Sequence, residues 1–163
     1  MSVGLDVLTP AGKVTLQHER MAYALFEDHY ANLKIEHTDK DQPEPFDGRI
    51  MQSGKVVALI ETKCRVNVNW QQFQTRYKNE WLLTDCKIKI AADCAGRERV
   101  PLYGFCFIVQ DQVLLIKQLS DANGNLVNYK TAMMTTQATV NGGTKRELTG
   151  FISMDDCDCV QLI

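Results

Sequence analysis

Two acidic residues and a lysine are the side chains in this sequence best spaced for chemistry. Asp47 lies in a short strand-like run, Phe46–Met51, while Glu61-Thr62-Lys63 continues the apolar run Val56-Val57-Ala58-Leu59-Ile60. Between the runs lies a turn signal, Gln52-Ser53-Gly54-Lys55. With Ser53, Gly54 and Lys55 as the loop, Gln52 faces Val56, and counting back sets Asp47 directly opposite Glu61. Directly opposed residues project from one face, with Cβ atoms roughly 4.5–5.5 Å apart. Lys63, two residues beyond Glu61, points to that face as well. The stretch Asp47–Lys63 therefore predicts a hairpin that gathers two carboxylates and an amine at one end.

Two carboxylates that close repel each other unless a proton or a cation lies between them. A hard divalent ion such as Mg²⁺, with Mn²⁺ as a substitute, takes oxygen ligands and keeps waters for a phosphate substrate. Lys63 could then hold or deprotonate a water, or neutralise charge developing on a phosphate. That constellation suits metal-assisted phosphodiester hydrolysis. A second acidic-x-Lys triplet, Asp85-Cys86-Lys87, shows that such triplets also arise by chance. It has neither a preceding Asp-bearing hairpin nor an apolar run before it. The run before Glu61 is apolar on both strand faces, as in a central buried strand, where charge is costly unless used or paired.

Several elements must position these residues. Val14 to about Leu33 reads as a first helix, with an apolar stripe of Leu16, Met21, Tyr23, Ala24 and Leu25 and Thr15 as a cap. Leu33–Glu36 is a weak strand, and the polar Asp39–Pro45 a loop. Trp70, Phe73, Tyr77 and Trp81 recur at near-helical spacing, a packing stripe or else a platform for unpaired bases. Lys87–Ala95 reads as a second helix capped by Thr84, and Pro101–Val109 and Val113–Leu119 as strands. Beyond Ser120, Thr135–Val140 and Lys145–Phe151 flank Asn141-Gly142-Gly143 as a polar hairpin, with Lys145 and Arg146 facing nucleic acid or a partner subunit. The pattern predicts an α/β fold over one domain, a mixed central sheet of four or five strands flanked by helices. Its core covers about residues 14–119, with a small β-rich C-terminal extension over about 120–163.

Asp47, Glu61 and Lys63, continued by Arg65, resemble the signature of the PD-(D/E)XK nuclease superfamily, the restriction-endonuclease-like fold. The resemblance runs over roughly Val14 to Lys117 in element order, and the compact chain is similar to small phage- or mobile-element-encoded members. It implies a Mg²⁺-dependent nuclease acting on DNA. In that reading Asp47, Glu61 and the Thr62 backbone carbonyl bind the metal, and Lys63 assists the attacking water. The family often adds an acid from its first helix, for which Glu19 is the best match and Glu27 the second. Arg65 and Lys87, the latter opening its helix, are the implied nucleic-acid contacts. Phe46 precedes Asp47, with Pro45 one position earlier, a departure at a place where the family varies widely. An alternative stays open: a catalytically inactive nuclease-fold protein that binds nucleic acid or builds a larger assembly. The joint presence of Asp, Glu and Lys speaks against a decayed site.

Bulk composition narrows the field further. At 163 residues, 45% hydrophobic and 23% charged, the chain can bury a sizeable core without staples. A net charge of −2 argues against a strongly basic binder, yet not against a nuclease, because bound metal offsets carboxylates. The six cysteines show no disulfide framework, and Cys157-Asp158-Cys159 has no His or Cys partner at zinc-like spacing. The first residues, MSVGLDVLTPAGK, lack a basic and apolar leader, and no run approaches a membrane span. These features predict reduced thiols in the cytoplasm, with no membrane partner, and leave a homodimer open; the phage-type resemblance implies that the cytoplasm is that of a bacterium or bacterial host. Serine-hydrolase elbows, His-Glu-x-x-His and dinucleotide glycine fingerprints are all missing from the sequence.

Overall fold

The computed structural model describes residues 10–38, 44–135 and 145–161. Helix α1, Pro10–His29, buries Ala22, Tyr23, Leu25 and Phe26, the i, i+3, i+4 spacing of one helix face. It feeds β1, Lys34–His37, and the Glu27 carboxylate ties helix to strand by accepting the Ile35 N–H at 3.0 Å. Strands β2, Gly48–Gln52, and β3, Lys55–Arg65, form an antiparallel hairpin. Helix α2, Trp70–Thr75, opens with a reciprocal Asn69–Gln72 capping box. Strand β4, Glu80–Thr84, and helix α3, Asp85–Arg97, follow. The remaining described strands are β5, Leu102–Ile108, β6, Val113–Ser120, β7, Lys130–Thr135, β8, Arg146–Ser153, and β9, Asp158–Gln161.

Six strands make one mixed sheet in the order β1-β2-β3-β5-β6-β9. Only β3 and β5 run parallel, and the chain between them supplies the covering helix α3 that such a crossover needs. One face packs Ile50, Ala58, Ile60, Phe105 and Phe107 against α1; the other packs Leu59, Leu102, Cys106 and Leu115 against Ile88, Ala91 and Ala95 of α3. Alternation along β3 thus feeds both cores, which is why its sequence is apolar without a polar face. The fold is the expected α/β sheet flanked by helices. A second, three-stranded sheet, β4-β8-β7, carries most of the C-terminal extension.

Three local expectations change. The main sheet has six strands rather than four or five, because β9, holding Asp158 and Cys159, returns to pair with β6. The aromatic run over 70–81 is not one helix. It stops at Thr75, and Lys78 and Asn79 both take positive φ (54° and 57°), which no right-handed helix continues. Trp81 therefore lies in β4 and is buried, as is Phe73, so both are packing residues rather than base platforms. In the tail, β8 covers the second half of the expected hairpin and β7 ends at Thr135, while Thr136–Val140 and Asn141–Gly143 lie outside the described residues.

Asp85 of the rival triplet opens α3 and is buried, where it fastens the segment before β7. Tyr129 donates its hydroxyl to Oδ1 at 2.7 Å, and Lys89 approaches Oδ2 at 2.9 Å. Burial works to raise this carboxyl, but the Tyr129 and Lys89 bonds outweigh it and hold it below its ordinary value. A depressed folded value stabilises the protein above the unfolded carboxyl's range and loses that contribution as pH falls through the folded one. Tyr129→Phe is therefore expected to cost about 1 kcal/mol in urea unfolding at neutral pH. Its deficit against wild type should shrink below about pH 4; a constant deficit down to acid pH would contradict the assignment.

Candidate active site

Asp47 reaches its position by a route the sequence does not show. The hairpin loop is two residues, Ser53 and Gly54, both with positive φ (51° and 78°), not the expected three. Met51 faces Val56 and Gln52 faces Lys55, one residue out of the expected register. A bulge then leaves Val57 without an opposite residue, and from Ile50–Ala58 to Gly48–Ile60 the register is the expected one. Asp47 arrives beside the Ile60–Thr62 stretch of β3, its N–H bonded to the Ile60 carbonyl at 2.8 Å. Its own carbonyl accepts the Thr38 hydroxyl at 3.0 Å. Here β2 has ended, and Asp47 Oδ2 accepts the Thr62 N–H at 2.8 Å, replacing the carbonyl that a continuing strand would have offered.

Glu61 is 8% exposed, and Gly104 of β5 lies opposite it. Glycine is required there: a Cβ would press into the Trp81 ring and come within 2.9 Å of Leu119 Cδ1. Lys63 lies opposite Cys106, so strand alternation sends Glu61 and Lys63 to the α3 side of the sheet. Lys63 is exposed at the surface, yet desolvation at its ammonium, then the charges of Arg65 and Lys87, pull it below its ordinary value; Cys106 and Glu147 act weakly the other way. Arg65 and Lys87, both expected as nucleic-acid contacts, thus lie within electrostatic reach of Lys63.

On the opposite face, Thr62 points toward α1. Its Oγ1 meets the Tyr23 hydroxyl at 2.6 Å, so Thr62 is clamped by Asp47 at the backbone and by Tyr23 at the side chain. Glu19, one turn before Tyr23, is 7% exposed. Burial, then the charges of Asp47 and Glu19, push the Tyr23 phenol well above its ordinary value. Burial followed by Glu19 and Asp47 pushes the Cys64 thiol up to about 12. Glu19 and the Asp47 carboxylate therefore both act on the α1 side, around Tyr23 and Cys64, while Glu61 faces α3. Among the described residues no group of three or more His, Cys, Asp or Glu side chains is placed to hold a metal ion. Glu19 does not complete a three-carboxylate cluster, and Glu27 is committed to Ile35. Sequence reasoning counted Tyr23 only as part of an apolar stripe; nothing in its spacing signals the Thr62 bond.

No family profile, curated protein or solved structure matches the chain. The donors at the strand end are hard oxygens, the carboxylates of Asp47 and Glu61 and the Thr62 carbonyl between Glu61 and Lys63. That chemistry fits a Mg²⁺-type ion that retains waters, and suits a soft metal poorly. No helix among the described residues is long and apolar enough to cross a membrane.

Proposed function

We propose that this protein is a divalent-metal-dependent nuclease that hydrolyses phosphodiester bonds, with DNA as its substrate. The observation that carries the reading is the Asp47 carboxylate fixed on the Thr62 N–H, the residue between buried Glu61 and Lys63 on the same strand. Asp47, Glu61 and the Thr62 carbonyl would hold Mg²⁺, which when bound supplies Lewis acidity toward a phosphoryl oxygen and an activated water. The chain's own groups do the rest. Lys63, its ammonium shifted downward, gives up a proton at Nζ more readily than a free lysine and so can exchange one with a water or a leaving oxygen. Arg65 and Lys87 supply charge for the flanking phosphates.

Incubating the protein with circular and linear DNA, and with RNA in parallel, tests the reading. Cleavage is expected with Mg²⁺ or Mn²⁺ and none with EDTA; an intact substrate under every condition would overturn it. Binding gives a second handle. With Ca²⁺ in place of Mg²⁺, affinity for duplex DNA should weaken as salt rises, by a slope of about −0.9 per phosphate contact. Arg65→Ala and Lys87→Ala should each flatten that slope by about one contact in fluorescence anisotropy. Unaltered slopes would remove both residues from the interface.

A further inference from the structure

On the α1 face of the main sheet, the first residues of β3 and β5 and the last turn of α1 line a cleft of ≈ 290 Å³. The bulge that leaves Val57 unpaired aims both Val57 and Ala58 into this space. Phe26, Tyr30 and Tyr103 supply aromatic walls, with Phe26 and Tyr30 at 4.8 Å between ring centroids. The one charged lining group is Asp158, brought there by β9. Among the described residues no Lys, Arg or His forms an ion pair with it. Its charge is felt inside the cleft: burial first, then Asp158 and Tyr103, raise the Tyr30 phenol above its ordinary value.

We propose that this cleft binds a small organic cation, with its charged head between Asp158 and the Tyr30 and Tyr103 rings and its apolar body against Phe26 and Val57. The choice of charge follows from the lining. An anion would meet the Asp158 carboxylate, and a neutral apolar guest would gain nothing from it. A cation gains from both the carboxylate and the negative faces of the aromatic rings. The site is separate from Asp47, Glu61 and Lys63 and does not depend on the nuclease reading.

Titrating ¹⁵N-labelled protein with benzyltrimethylammonium, followed by amide chemical shifts, tests the proposal. Saturable shifts are expected at Tyr30, Val57, Tyr103 and Asp158, and unchanged in Glu61→Gln. Affinity should fall roughly tenfold in Asp158→Asn, an exposed edge-strand position where the fold is not at stake. Tyr103→Leu, which keeps an apolar side chain, should weaken binding likewise. The proposal fails if no shifts appear up to about 10 mM. It fails equally if phenylacetate or neutral tert-butylbenzene binds as tightly, or if Asp158→Asn leaves the affinity unchanged.

Discussion

Glu61→Gln is expected to cut the metal-dependent cleavage rate by at least roughly 10²–10³-fold while leaving thermal stability at or above wild type. Glutamine keeps the shape and the hydrogen-bonding oxygen of a nearly buried side chain, so the fold is retained. Asp47 separates chemistry from structure more sharply. Asp47→Asn retains an oxygen for the Thr62 N–H and loses only the charge, so it should lose a similar rate with the fold intact. Asp47→Ala should lose the rate and also about 1 kcal/mol of stability, because the Thr62 donor is left unpaired. Lys63→Ala should likewise cost orders of magnitude in rate, whereas Asp85→Ala should change the rate little, since Asp85 serves Tyr129 and Lys89. Single-turnover cleavage beside urea unfolding reads all five variants. Full activity in Asp47→Asn would show that Asp47 is only a strand cap.

Gly104→Ala is expected to destabilise the protein by about 1–3 kcal/mol, even though it adds a single methyl. The added carbon would meet the Trp81 ring and Leu119, both fully buried in the core cluster between the sheet and α3. A rigid indole at 0% exposure has no free direction in which to yield. For a chain of this length the loss corresponds to roughly 2–10 °C in Tm by calorimetry. A wild-type Tm would mean that Trp81 does not close over Gly104. Because Gly104 lies opposite Glu61, the same substitution should also lower the cleavage rate.

The register at which the hairpin strands meet, Ile50–Ala58 to Gly48–Ile60, was legible although the path to it was not. A three-residue loop and a two-residue loop followed by a one-residue bulge use the same number of residues, so both return the chain to Ile50–Ala58. Residue count decides where the strands meet again; local geometry decides how they get there. The run over 70–81 misled for a related reason. Spacings of three and four suit a helix, but Phe73 and Trp81 reach the same core from a short helix and a strand joined through two left-handed residues.

Glu19 shows the limit of pattern reading. Its burial and its place one turn before Tyr23 put it near Thr62, yet the sheet stands between it and Glu61, and no one-dimensional pattern records which face a helix covers. Tyr23, Gly104 and Asp158 were silent for the same reason, since each acquires its role from a residue far along the chain. What the sequence determined was everything that depends on residue order: a buried strand with no polar face, a hairpin bringing Asp47 to the Glu61–Lys63 stretch, Glu61 and Lys63 on one face, and helices to cover both faces. What the tertiary structure alone decided was everything that depends on contact between distant segments. It sent β9 to the sheet edge, set Trp81 over Gly104, joined Tyr23 to Thr62 and opened the cleft beneath Asp158. The physical reason is that alternation and helical period are local properties of the backbone, whereas a hydrogen bond across 39 residues exists only once the two surfaces have packed.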